Sequence, residues 1–177
     1  MELIQDMNNL LWPLPDIVPL LPEAHPGAFG TKRRYDIHTG IDLYCAPNTE
    51  VISIEPGEVI KIEEFTGINA SSPWWNDTHA VWIYNKDEDR TIVYGELSPV
   101  FSNRGKYLPA GSYIGSVKTV LKKNKGLPMS MLHLEMYEGI PKEIVWWDLG
   151  SVQPDGLSNP TEFLKSVYEQ YIRLKTT

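Results

Sequence analysis

A single cysteine, Cys45, rules out an internal disulfide, so no covalent staple supports the fold and the composition suits a reducing compartment. Histidine is scarce too: His25, His38, His79 and His133 are all there are, which limits imidazole chemistry to a few combinations. There is no basic stripe. Sixteen Lys and Arg face 23 Asp and Glu, a net charge of −7, which argues against nucleic acid and anionic membrane surfaces as partners. Long hydrophobic runs are missing as well. The N-terminal stretch carries Glu2 and Asp6 and no basic residue ahead of its apolar part, which prolines then interrupt. It reads neither as a secretion signal nor as a membrane-spanning helix. No membrane insertion is expected, and the expected location is the cytoplasm, with export by another route left open.

What is present suits one domain: 177 residues are enough to bury a core without staples. Residues 1–28 read as a proline-rich N-terminal arm, in which Pro13, Pro15, Pro19, Pro22 and Pro26 favour an extended path over a helix. The body then reads as β. Residues 50–54 and 58–62 alternate around Pro56-Gly57 and predict a hairpin. Residues 80–84 and 91–97 predict a second hairpin across a charged turn, with Ile92, Tyr94 and Glu96 sharing a face. Residues 65–78 are too polar and broken for a regular element and read as a long loop. Its adjacent Trp74 and Trp75 are candidates for holding a sugar ring or a peptide, with packing onto the domain as the competing use. Residues 118–125 carry four lysines and read as a solvated loop. The chain closes on its one convincing helix, 159–175. Asn159 is its N-cap, Pro160 its first residue, and Phe163, Leu164, Val167 and Tyr171 lie at helical spacing.

The segment His38-Thr-Gly-Ile-Asp42 concentrates the chemistry. If extended, His38, Gly40 and Asp42 line one face, and a glycine without a side chain leaves space for an ion between its neighbours. Thr39, Gly40 and Ile41 are poor helix formers, so a strand or a turn entering one is expected. His133 supplies the best-placed third group. In the alternating run 131–137, Leu132, Leu134 and Met136 take one face and Met131, His133 and Glu135 the other. His38, Asp42 and His133 together would offer zinc two imidazole nitrogens and one carboxylate oxygen, leaving a fourth tetrahedral position open, as in catalytic sites. The bland alternative is that each histidine is simply a satisfied polar residue.

Several strings, in order, resemble the lysostaphin or LytM-type zinc endopeptidases, which cut peptide cross-bridges in bacterial cell walls. Phe29-Gly30 precedes the H-x-G-x-D string of His38 to Asp42. Ala46-Pro47, Val51 and Pro56-Gly57-Glu58-Val59 follow, with Asn48 where glycine is usual. Tyr94-Gly-Glu-Leu97 is similar to Y-x-H-L, Ala110-Gly111 to Ile114-Gly115 to a later glycine string, Met131-Leu-His-Leu-Glu135 to H-x-H-F-E, and Asn159-Pro160 to Phe163-Leu164 to D-P-x-x-Y-L. The resemblance implies a lysostaphin-type domain over 29–164, mostly antiparallel β with a groove across one sheet, the helix packed on it, zinc held by His38, Asp42 and His133, and a peptide or peptidoglycan-like ligand.

Two positions depart from the pattern. The histidines that assist the metal water in active members are replaced by Glu96 and Met131. Methionine cannot transfer a proton, so that role is lost, and position 131 is left as a substrate-contact candidate beside Trp74 and Trp75. A glutamate can act as general base, and Glu96 is the candidate for it; alternatively it closes the metal site as a fourth ligand. Three functions follow: a zinc hydrolase of cell-wall peptides with altered catalytic groups, a zinc-bearing inactive binding or regulatory domain, and a phosphotransfer domain of related fold. The order of the histidines argues against the third.

Overall fold

The computed structural model describes residues 10–176. Nine strands and one long helix follow in order: β1 (Ile41–Tyr44), β2 (Glu50–Ile52), β3 (Gly57–Thr66), β4 (Thr78–Asn85), β5 (Arg90–Pro99), β6 (Tyr107–Leu108), β7 (Tyr113–Val117), β8 (Met131–Glu138), β9 (Leu157–Ser158) and α1 (Thr161–Thr176). The fold is mostly antiparallel β with a C-terminal helix, as expected. The main sheet runs β1-β8-β5-β4-β3-β6, β7 joins β5 at its far end and carries β2, and β9 adds to β8.

The alternation of β8 separates two faces. Leu132 and Leu134 point into the larger core with Ile41, Leu43, Ile92 and Tyr94, and Leu164 and Val167 of α1 close it. Trp12 and Leu14 of the proline-rich segment are buried in that same core; residues 1–9 of the expected arm lie outside the described residues. Asn159 caps α1, its Oδ1 accepting from the Thr161 amide at 3.0 Å. On the opposite face, Ala80, Trp82, Val93 and Tyr137 form a smaller cluster beneath Ile37 and Trp147. His133 shares this second face.

Two expectations are corrected. The hairpin across Pro56-Gly57 does not form: β2 pairs with β7, while β3 pairs with β4 and β6. Gly57 explains the close docking of β3, because a Cβ there would lie 2.6 Å from the Tyr84 carbonyl oxygen. The Ile54 amide donates instead to the buried Tyr94 hydroxyl at 2.9 Å. The second correction concerns β5. Its hairpin with β4 is present, but Glu96 does not share the face of Ile92 and Tyr94. Between the pairs Val81↔Tyr94 and His79↔Leu97, Gly95 and Glu96 together oppose Ala80, a β-bulge with Glu96 in the left-handed region at φ 66°. Tyr94 and Leu97 stay in the large core, and the extra residue turns Glu96 to the other face.

Candidate metal centre

Three elements bring the site together. Asp42 of β1 and His133 of β8 are direct cross-strand partners. His38 sits just ahead of β1, held by two backbone hydrogen bonds: its amide donates to Thr31 and its carbonyl accepts from Gly30. The resulting group, His38, Asp42 and His133, is buried and places one donor atom of each residue within 4.8 Å of the others. The separations are 2.9 Å from Asp42 Oδ1 to His133 Nδ1, 3.2 Å from His133 Nδ1 to His38 Nε2, and 3.3 Å from His38 Nε2 to Asp42 Oδ1. Zinc with bonds of roughly 2.0–2.1 Å sets tetrahedral ligand atoms about 3.3 Å apart, so the donor set fits that ion.

The atoms behind the three residues decide which nitrogen faces inward. His38 Nδ1–H donates to the Ala28 carbonyl at 3.1 Å, leaving Nε2 as the free lone pair. His133 Nε2 is 3.0 Å from Glu135 Oε1, and that carboxylate also accepts from Thr39 Oγ1 at 2.6 Å and from the Tyr137 hydroxyl at 2.5 Å. A carboxylate behind a histidine is the arrangement that orients metal ligands and raises their basicity. Asp42 divides its oxygens: Oδ1 faces the imidazoles and Oδ2 accepts from the Arg33 guanidinium at 3.1 Å.

The charges of these residues lean on one another. Burial disfavours the His133 imidazolium, but hydrogen bonds to Asp42 and Glu135 raise its pKa to about 10. Burial works to raise Asp42, yet hydrogen bonds from His133 and His38 hold it well below its ordinary value. His38 is held below its usual value, chiefly by burial. Glu96 is pushed up to about 8, by burial first and by the charge of Asp42 second. Its Oε2 is buried and without a hydrogen-bond partner. An orphaned carboxylate oxygen within electrostatic reach of the triad is a costly feature to keep in an ordinary core.

Gly40 plays a different part from the one expected. The space beside it is filled, not open: a Cβ would lie 2.4 Å from the Leu134 carbonyl and 2.8 Å from the His133 ring. Glycine is there to let His133 pack against the backbone. Phe65 lies beside that ring at 5.3 Å between centroids, and Gly95 leaves it room. Met131, buried, is the cross-strand partner of Tyr44. Trp74 and Trp75 stand on the loop after β3, both exposed and packed edge to face at 6.0 Å. Two of the four lysines in the solvated stretch reach this loop: Lys118 donates to the Asp77 carbonyl and Lys122 to that of Pro73, while Lys122, Lys123 and Lys125 are exposed as expected.

Arg33, Thr39 and Tyr137 carried no sequence signal as site residues. Glu135 did, two residues from His133 on the same strand face.

Residues 36–143 match Peptidase family M23. No curated protein matches the chain by sequence. Among solved structures, the fold is similar to the catalytic domain of the antimicrobial peptidase lysostaphin from Staphylococcus simulans, at 19% identity over 78% of this chain and 89% of that one, with a TM-score of 0.54. It is also similar to the catalytic domain of the prophage-encoded M23 protein EnpA from Enterococcus faecalis, at 21% identity, 76% and 85% coverage and a TM-score of 0.52. The SpoIIQ-SpoIIIAH pore forming complex contains a third similar chain, at 18% identity, 93% and 98% coverage and a TM-score of 0.56. The chain spans 48% of a longer lysostaphin chain that it also matches. Among the described residues no helix is long and apolar enough to cross a membrane.

Proposed function

Because the chain belongs to Peptidase family M23, we propose that it is a zinc-dependent hydrolase of peptide bonds, with cell-wall cross-links as substrate class and Glu96 as general base. The buried Glu96 Oε2, unpaired on the face of the His38, Asp42 and His133 triad, carries this proposal. His38 Nε2, Asp42 Oδ1 and His133 Nδ1 would hold the ion. When bound, zinc supplies Lewis-acid chemistry, polarising a carbonyl and making water nucleophilic near neutral pH.

The residues of the chain do the rest. Glu135 and the Ala28 carbonyl hold the imidazoles in the tautomers that face inward. Arg33 holds Asp42 Oδ2, which leaves Oδ1 for the ion. Glu96, as the carboxylate, takes the proton of the attacking water on Oε2 and returns it to the leaving nitrogen, so that hydrolysis balances with the carboxylate regenerated. A carboxyl kept near neutrality by burial is suited to both transfers. The aromatic pair Trp74 and Trp75 offers a surface for the substrate's flanking parts.

Met131 favours a second function. An apolar side chain on the triad's face removes one catalytic group of the family, as suits a zinc-bearing domain that only binds. One experiment separates the two. Purified, zinc-loaded protein is incubated with peptidoglycan and with cross-bridge peptides. Cleavage abolished by a chelator and reduced about 10²–10⁴-fold by Glu96→Gln supports the hydrolase. Bound zinc without turnover supports the binding domain, and full activity of Glu96→Gln removes the proposed base.

A further inference from the structure

With methionine at 131, β8 offers no proton donor beside His133, but the strand facing it does. Tyr44 is the partner of Met131 across the β1–β8 ladder, two pairs along from Asp42↔His133, and strand alternation puts it on the face of Asp42. Its side chain leans back over that residue. The Tyr44 hydroxyl and Asp42 Cβ each lie 3.2 Å from the point a Cβ on Gly27 would occupy. The His25 ring meets the phenol edge to face at 6.0 Å and 66°. Tyr44 is half-buried, and its hydroxyl donates to no described residue. Glu96 comes from β5, beyond β8 in the strand order. In the strand order β1-β8-β5, His133 therefore lies between the strand that carries the Tyr44 hydroxyl and the strand that carries the unpaired Glu96 oxygen.

We infer that Tyr44 is a catalytic hydrogen-bond donor of this site, its neutral phenol donating to the scissile carbonyl oxygen as that oxygen becomes an oxyanion. The inference rests on the hydrolase activity proposed above. The phenol shares its hydrogen and loses none: the water's proton travels to Glu96 Oε2 and then to the leaving nitrogen, and no bond forms to Tyr44. A donor already aimed at the developing charge stabilises the transition state more than the ground state. Met131 is at best a weak acceptor and cannot make this contact.

Tyr44→Phe tests it, because the ring against His25 stays and one oxygen goes. The zinc-loaded full chain is assayed for hydrolysis of purified peptidoglycan, and for binding of a phosphinic pseudopeptide that imitates the tetrahedral oxyanion. The expected result is a fall in kcat of about 10²–10³-fold with KM within about twofold of wild type. Phosphinate affinity should weaken at least about tenfold, in proportion to the lost donor, while zinc content and Tm stay unchanged. Wild-type kcat in Tyr44→Phe, or a rise in KM alone, overturns the inference. If the wild-type chain hydrolyses nothing, the hydrolase activity fails separately and the phosphinate arm decides: weaker binding by Tyr44→Phe supports the donor, whereas equal binding, or none by wild type, overturns it.

Discussion

Asp42 and His133 stand directly opposite each other in the β1–β8 ladder, with Oδ1 of one 2.9 Å from Nδ1 of the other. Their separation is set by backbone hydrogen bonds and not by loops, so two of the three donor atoms are in position before any ion arrives. His38 is held almost as firmly, by its own amide and carbonyl.

Zinc should therefore stabilise the fold. At an ion concentration about 100 times its Kd, linkage adds about 2.7 kcal/mol, roughly 5–10 °C in Tm for a chain of this size. Asp42→Ala should remove that rise. Thermal melts with and without zinc check both, alongside metal analysis of the purified chain.

Metal uptake should strengthen with pH. His133 keeps its proton to about 10 in the metal-free protein, so binding must displace it, and apparent affinity should rise about tenfold per pH unit across the neutral range. The metal-free protein should follow the opposite trend. The raised pKa values of Glu96 and His133 mean that the folded chain binds protons the unfolded chain has released, and stability falls wherever that holds. For Glu96 the window is 4.5 to about 8, and for His133 it is 6.5 to about 10. Both act together between pH 6.5 and 8. Denaturant melts of chelated and zinc-loaded protein across this range should diverge.

Gly40→Ala should damage the metal centre without replacing a proposed ligand. The new methyl meets a backbone carbonyl and the His133 ring at distances neither can accommodate. The expected cost is about 1–3 kcal/mol, as for overpacking, with weaker zinc binding. Denaturation curves and a chelator competition measure the two effects.

Position 96 should tolerate an amide but not a branched side chain. Glu96→Gln keeps the left-handed conformation at φ 66° no worse than before and removes the buried ionisable group, so the stability loss between pH 4.5 and 8 should shrink. Glu96→Val should destabilise by about 1–3 kcal/mol despite being more apolar, because a β-branched residue is strained at that φ. Chemical denaturation of the two variants at pH 6 and pH 8 distinguishes them.

Much of the architecture was legible in residue order. Alternation in 131–137 separated the core face from the His133 face, the Asn159-Pro160 start and apolar spacing marked the helix, and the charged turn marked the β4–β5 hairpin. The His38, Asp42 and His133 set was legible because imidazole is so scarce in this chain that few combinations could be tried. The pairing of β2 was not. A three-residue strand carries too little pattern to name its partner, and β7 lies more than 60 residues away along the chain. Nor did alternation locate Glu96, since a single unpaired residue shifts the phase of everything near it and leaves no mark in composition.

Residue order alone determined the mostly β class, the closing helix and the donor types available to a metal, since these depend on local periodicity and on which side chains exist. The tertiary structure decided the rest: that Glu96 turns out of the core, that Arg33 holds one oxygen of Asp42, that Glu135 backs His133, and that Tyr44 stands where Met131 offers nothing. Those relations join residues distant in sequence through strand register and one bulge, which only the paired sheet sets.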